Sequence, residues 1–134
     1  MAHKNPKFSD SIAAFCCAVT EAQKDYDWNL NEVNRLDELT QDYLHQLELS
    51  GLDYAGRAKI ATQLQKCRQE RRQSKDTVEI LEPLIDFLEC DKGKQMMRLM
   101  REVLGQTRNV EKRMGNRVYR YRVIDEGDIV EKSI

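Results

Sequence analysis

The sequence predicts a mainly α protein, a small helical bundle with a short C-terminal antiparallel β-hairpin. Three observations point there. Apolar residues recur at three- and four-residue steps over most of the chain. Leu, Glu, Lys, Arg, Gln and Ala, all good helix formers, dominate a composition with only two Pro and six Gly. Near the C-terminus the pattern changes to an alternation rich in Val, Tyr and Arg. At 134 residues the chain is the size of one domain. It divides into a helical body over about 8–115 and a strand segment over about 116–132.

Four helical segments are expected in order. The first spans about 9–25, N-capped by Ser9 or Asp10, with Phe8, Ile12, Phe15, Cys16, Val19 and Ala22 as its apolar stripe. The second spans about 29–50. Asn29 is its cap, Glu32 completes a capping box, and Leu30, Val33, Leu36, Leu39, Tyr43, Leu44 and Leu47 face inward. Gly51 supplies the stop. The third runs from about 53 to 88, with Ile60, Leu64, Cys67, Arg71, Val78, Leu81, Ile85 and Leu88 inside. Pro83 lacks a backbone donor, so a kink or break is expected there. The fourth spans about 93–114, with Met96, Leu99, Met100, Val103, Thr107, Val110 and Met114 in a heptad-like step suited to antiparallel packing or a subunit interface. Gly115 ends it. Residues 117–124 then alternate as one strand, and 128–132 form a second. A lone hairpin is marginal in water and needs the helices or another subunit.

The four cysteines, Cys16, Cys17, Cys67 and Cys90, form no C-x-x-C pair. They read as reduced thiols, not a disulfide framework, and the two histidines are not spaced to complete a zinc site. The first ten residues are polar, and the apolar run 12–19 is too short to span a bilayer. A cytoplasmic location without membrane association is therefore expected, and no metal or cofactor is implied.

Net charge is -1, so overall balance names no partner, but the distribution is uneven. Residues 21–54 and 76–91 are acidic blocks. Residues 66–75 carry Lys66, Arg68, Arg71, Arg72 and Lys75 against Glu70, and residues 101–122 are again basic. Such blocks ordinarily form solvated faces or pair with each other. A sharper reading gathers Arg68, Arg71, Arg72 and Lys75 with Arg108, Arg113 and Arg117 into a phosphate pocket, because guanidinium forks match phosphate oxygens in pairs.

Catalytic readings find little support. Asp42 and His45 lie one helical turn apart, which is common for a surface pair. No phosphate-binding loop, zinc-protease or serine-hydrolase motif occurs. Trp28 reads as a packing anchor between the first two segments. Phe87, near a helix end, is either core or a platform on which a base ring stacks. Asn116 either reads a base edge or closes the helix in a left-handed turn.

The run from Leu39 to Glu89, followed by Gly115-Asn116-Arg117-Val118-Tyr119, resembles the first family of Thoeris anti-defence proteins. These are phage-encoded sponges for cyclic nucleotide-like immune signals. The resemblance covers about residues 8–124. It implies a helical body with a C-terminal hairpin, assembled as dimers and as hexamers built from three dimers, in the host bacterial cytoplasm. It implies binding of cyclic ADP-ribose isomers without cleavage, with cyclic oligonucleotides at a separate site in some members. The family pocket uses arginines, an aromatic ring and an asparagine, which match Phe87, Arg113, Asn116 and Arg117 here. Around Met96–Leu99 the chain is apolar where a polar contact is expected.

Two rival readings remain. In one the chain is a nucleic-acid-binding module, using its Arg- and Tyr-rich strand on the backbone. In the other it inhibits a host protein through the acidic second segment, with Asp37, Glu38 and Asp42 mimicking nucleic acid. An enzyme is the remaining alternative.

Overall fold

The computed structural model describes residues 7–118, 120 and 122–124. Three helices make up the fold: α1 (Phe8–Leu49), α2 (Tyr54–Glu89) and α3 (Asp91–Gly115). The hairpin expected over 117–132 falls largely outside the described residues, and among those described no strand occurs.

The first two expected segments form one helix. At about 1.5 Å per residue, the 42 residues of α1 span about 63 Å. The expected break rested on Asn29 as a cap. Instead the Asn29 side-chain amide donates to the carbonyl of Asp25 at 2.7 Å, one turn back within the helix. Glu32, its supposed capping partner, pairs with Arg35. No Pro or Gly lies between Phe8 and Leu49, so nothing forces a stop. Trp28 therefore sits mid-helix and is 63% exposed, not an anchor at a junction.

The start of α1 also differs from expectation. Lys7 is the N-cap and makes no side-chain cap bond. Ser9 lies inside the first turn and is buried. Its backbone N–H donates to Glu111 Oε1 at 3.0 Å and its hydroxyl to Glu111 Oε2 at 2.6 Å. A carboxylate from α3 thus satisfies a first-turn donor that has no partner in its own helix.

α2 folds back along α1 after the link Ser50–Asp53. The Asp53 carboxylate accepts from the Gly56 N–H at 2.8 Å and caps the new helix. α2 continues through Pro83 as one helix, matching the expected span of about 53 to 88, so of the kink or break expected there the break does not occur. Leu81 and Ile85 on either side pack into the core and hold the helix across it. No described residue has a positive φ, so Gly51 does not close α1 by a left-handed turn; the chain leaves through extended Ser50.

The antiparallel register is visible in polar as well as apolar contacts. The Cys67 thiol donates to the Leu36 carbonyl at 3.3 Å and lies 3.5 Å from Thr40 Oγ1. Inward positions on α2 (Ile60, Leu64, Cys67, Arg71, Ser74, Val78, Leu81, Ile85, Leu88) alternate steps of four and three, the signature of a coiled-coil seam. Apolar patterning had found all of these except Ser74. On α1 it had placed Leu30, Leu44, Phe8 and Phe15 inside, but all four are exposed, and Ser9 and Thr40 are buried instead.

One residue, Cys90, joins α2 to α3. Its N–H closes α2 on the carbonyls of Asp86 and Phe87, and its sulfur receives the Gly93 N–H at 3.5 Å. Val19, Ile85, Leu88 and Met97 form the buried cluster where the three helices meet. α3 then runs antiparallel to α1, from Met97 in this cluster to Glu111 beside Ser9. The C-terminal end of α3 therefore reaches the first turn of α1.

Candidate functional site

The last turn of α3 carries Lys112 and Arg113, and the helix ends on Asn116 and Arg117. With Asn109 and Met114 these residues line an open pocket of about 640 Å³. The spacing explains the grouping. Asn109, Lys112, Arg113 and Asn116 recur at three- and four-residue steps and so share one side of the helix end. Arg117 folds back on the same turn, its N–H donating to the Met114 carbonyl at 3.3 Å and its guanidinium approaching Met114 Sδ at 3.7 Å.

Electrostatics make this site demanding for an anion. The C-terminal end of a helix carries partial negative charge, which disfavours anions and favours bases there. Lys112, Arg113 and Arg117 must outweigh that field. Among the described residues no carboxylate pairs with any of the three. Asn116 has φ -101° and ψ 5°, so it does not close the helix by a left-handed turn. Its side chain borders the pocket.

Arg68, Arg71 and Arg72 sit elsewhere, in the middle of α2. Arg71 turns toward α1 and donates to Asp37 Oδ1, and Arg68 reaches the same oxygen at 3.5 Å. Arg68 and Arg72, with Gln65, Gln69 and Gln73, border a shallow depression of about 470 Å³ on the outer face of α2. Antiparallel pairing fixes Arg71 beside Asp37, and helix periodicity then points Arg72 away from it.

The expected convergence of both basic stretches does not occur within one chain. Arg71 and Phe87 are 16 residues apart on α2, about 24 Å of helix. Phe87 is 40% exposed near the α2–α3 junction, where its carbonyl abuts Gly93. From Gly93, α3 rises about 30 Å before it reaches Arg113. Of the residues singled out from the sequence, the fold brings Arg113, Asn116 and Arg117 together. It keeps Phe87, Arg68, Arg71 and Arg72 apart from them. Arg108 is exposed next to Asn109 but is not among the lining residues, and it is close enough to Glu111 to help hold its carboxyl low. Asn109 and Lys112 are not among the residues the sequence singles out, yet their steps to Arg113 and Asn116 make them neighbours in the pocket.

Glu111 itself is held below the usual carboxylate range, first by the Ser9 hydroxyl and then by the Ser9 N–H. It is therefore ionised at neutral pH and committed to α1. His45 and Asp42 are both exposed toward the C-terminal end of α1, which points away from this pocket.

No family model, curated protein or solved structure matches this chain.

Proposed function

We propose that the protein binds and sequesters a phosphorylated cyclic nucleotide signal of the cyclic ADP-ribose type, without cleaving it, as a phage anti-defence protein acting as a homo-oligomer. The observation that carries the reading is the gathering of Lys112, Arg113, Asn116 and Arg117 around one pocket, with no carboxylate among the described residues to neutralise them. Guanidiniums next to an amide offer forks for phosphate oxygens and a donor–acceptor pair for a base or ribose. The volume of about 640 Å³ falls in the ordinary range for small-molecule sites. The resemblance noted from the sequence supplies the ligand class.

The test is calorimetric titration with cyclic ADP-ribose isomers, followed by heating and mass spectrometry of what is released. Saturable binding and recovery of intact ligand support sequestration. Absence of binding, or release of a hydrolysed product, rejects it.

A nucleic-acid reading draws on Arg120 and Arg122, which are exposed just beyond the pocket. Backbone binding of that kind weakens steeply with salt, because each phosphate contact releases counterions. An affinity for short single strands that falls by orders of magnitude between low and physiological salt would favour it over the sponge.

A further inference from the structure

We propose that the groove between α1 and α2 at Trp28 binds a linear polyamine, with one ammonium over the indole and another at Glu70. The groove has a volume of about 310 Å³, and among the described residues no Lys or Arg lines it. It is distinct from the pocket at the end of α3. Trp28 lies 19 residues along α1 from Ser9, about 28 Å of helix. Its indole is 63% exposed in mid-helix, left uncovered by the fold.

Acceptors dominate the polar lining. The Asn29 amide nitrogen donates to the Asp25 carbonyl at 2.7 Å, leaving the side-chain oxygen to accept. The Thr77 hydroxyl places its one proton on the Gln73 carbonyl at 3.1 Å, leaving its lone pairs. Glu32 and Glu70, when ionised, only accept. Ser74 is 7% exposed, yet its hydroxyl enters no hydrogen bond among the described residues. Among those residues no wholly covered side-chain oxygen or nitrogen lacks a partner, so this hydroxyl opens into the groove. The groove thus offers acceptors and an aromatic face. Both suit a donor-rich cation, because the ring quadrupole attracts positive charge over the indole.

Spacing selects a ligand with more than one charge. The helices are antiparallel and Cys67 meets Leu36, so Trp28 lies at the Thr77 end of the groove and Glu70 at the other. Thr77 and Glu70 are seven residues apart, about 10 Å of helix. Leu36, 1% exposed, forms the floor at the Glu70 end. The two carboxylates are not equivalent. Glu32 is held by Arg35, whose Nε lies 3.1 Å from both of its oxygens. Arg35 also senses Glu70, but its guanidinium stays bonded to Glu32. Glu70 pairs loosely with Lys66 at 3.9 Å, with both side chains well exposed. Glu70 is therefore the carboxylate with charge to offer, and the alkyl segment of a polyamine bridges it to Trp28. A small monovalent cation satisfies one end only. The same carboxylates repel anions, so this groove and the basic pocket select opposite ligands.

Trp28 is the chain's one tryptophan, so its fluorescence reads the groove directly. Spermidine titrated into the protein at physiological salt should change that emission saturably, with a dissociation constant below about 1 mM. Glu70→Gln, which keeps the fluorescent reporter, should weaken binding about 10-fold. Trp28→Ala, followed by calorimetry, should weaken it about 5-fold. Glu38→Gln, on the exposed side of α1, should keep full affinity. Thermal melts verify that each variant is folded. On the unaltered protein, spermidine should bind more tightly than putrescine, and methylammonium should not saturate. Three results overturn the assignment: no saturable change with spermidine, an equal response to magnesium chloride at matched ionic strength, or full affinity in folded Glu70→Gln.

Discussion

Ser9 gives both its hydroxyl and its backbone N–H to Glu111, tying the first turn of α1 to the last turns of α3 across 102 residues of sequence. Because the carboxylate does the accepting, the tie depends on its charge. Glu111 is held below its ordinary pKa of 4.5 by these two donors. A depressed folded pKa means the stabilisation is complete above the unfolded value and is lost as pH falls through the folded one. Stability should therefore drop below about pH 4.5, and Glu111→Gln should flatten that part of the profile. Glu32 is also held low by Arg35, within one helix. Arg35→Ala is the control that separates its share. Urea midpoints from pH 6 to pH 3 on the three proteins provide the check.

Asp37 organises the middle of the bundle. It receives Arg71, whose side chain is 20% exposed, and Arg68, which is half exposed. Asp37→Ala should cost about 1 kcal/mol, a modest figure because the carboxylate is itself partly in water. Arg72→Ala, one residue along on the outer face, should fall within about 0.5 kcal/mol of the parent protein. Chemical denaturation of both variants compares a cation held by the fold with one left to solvent. Equal effects would mean the Asp37 pair adds nothing.

Gly93 carries no side chain because there is no room for one. A Cβ there would lie 1.8 Å from the Phe87 carbonyl oxygen and 2.6 Å from its carbon. Both atoms are backbone, so Gly93→Ala must push α3 away from the end of α2. The substitution should destabilise by about 1–3 kcal/mol despite alanine's better helix propensity. Gly105→Ala is the contrast, since a Cβ there meets nothing within 4 Å. Thermal melts should move in opposite directions for the two.

Arg113→Ala and Arg117→Ala should each weaken ligand binding by about 10- to 100-fold, the effect of losing one or two charge-assisted hydrogen bonds, with the helical signal unchanged. Arg68→Ala and Arg72→Ala should leave affinity for the same ligand intact, because their depression lies on a different helix. Calorimetry with cyclic ADP-ribose isomers distinguishes the two groups. If the α2 variants lose binding and the α3 variants keep it, the pocket at the end of α3 is not the site.

Local chemistry was enough to determine much of this protein. The amphipathic steps located α2 and α3 within about two residues at either end, and the α2 seam was readable from Ile60 to Leu88 save for Ser74. The pocket was partly legible, since Arg113, Asn116 and Arg117 are neighbours on one stretch of chain.

Tertiary structure alone decided three things. It made α1 continuous where a capping pattern at Asn29 suggested two helices, because a potential cap ends a helix only if the chain has somewhere else to go. It buried Ser9, Thr40 and Ser74, polar residues that no apolar periodicity marks as inward. It divided the arginines, pairing Arg71 and Arg68 with Asp37 and leaving Arg113 and Arg117 without a carboxylate among the described residues. Helix periodicity acts over four residues, whereas the partner of a charged side chain is set by the register between helices distant in sequence.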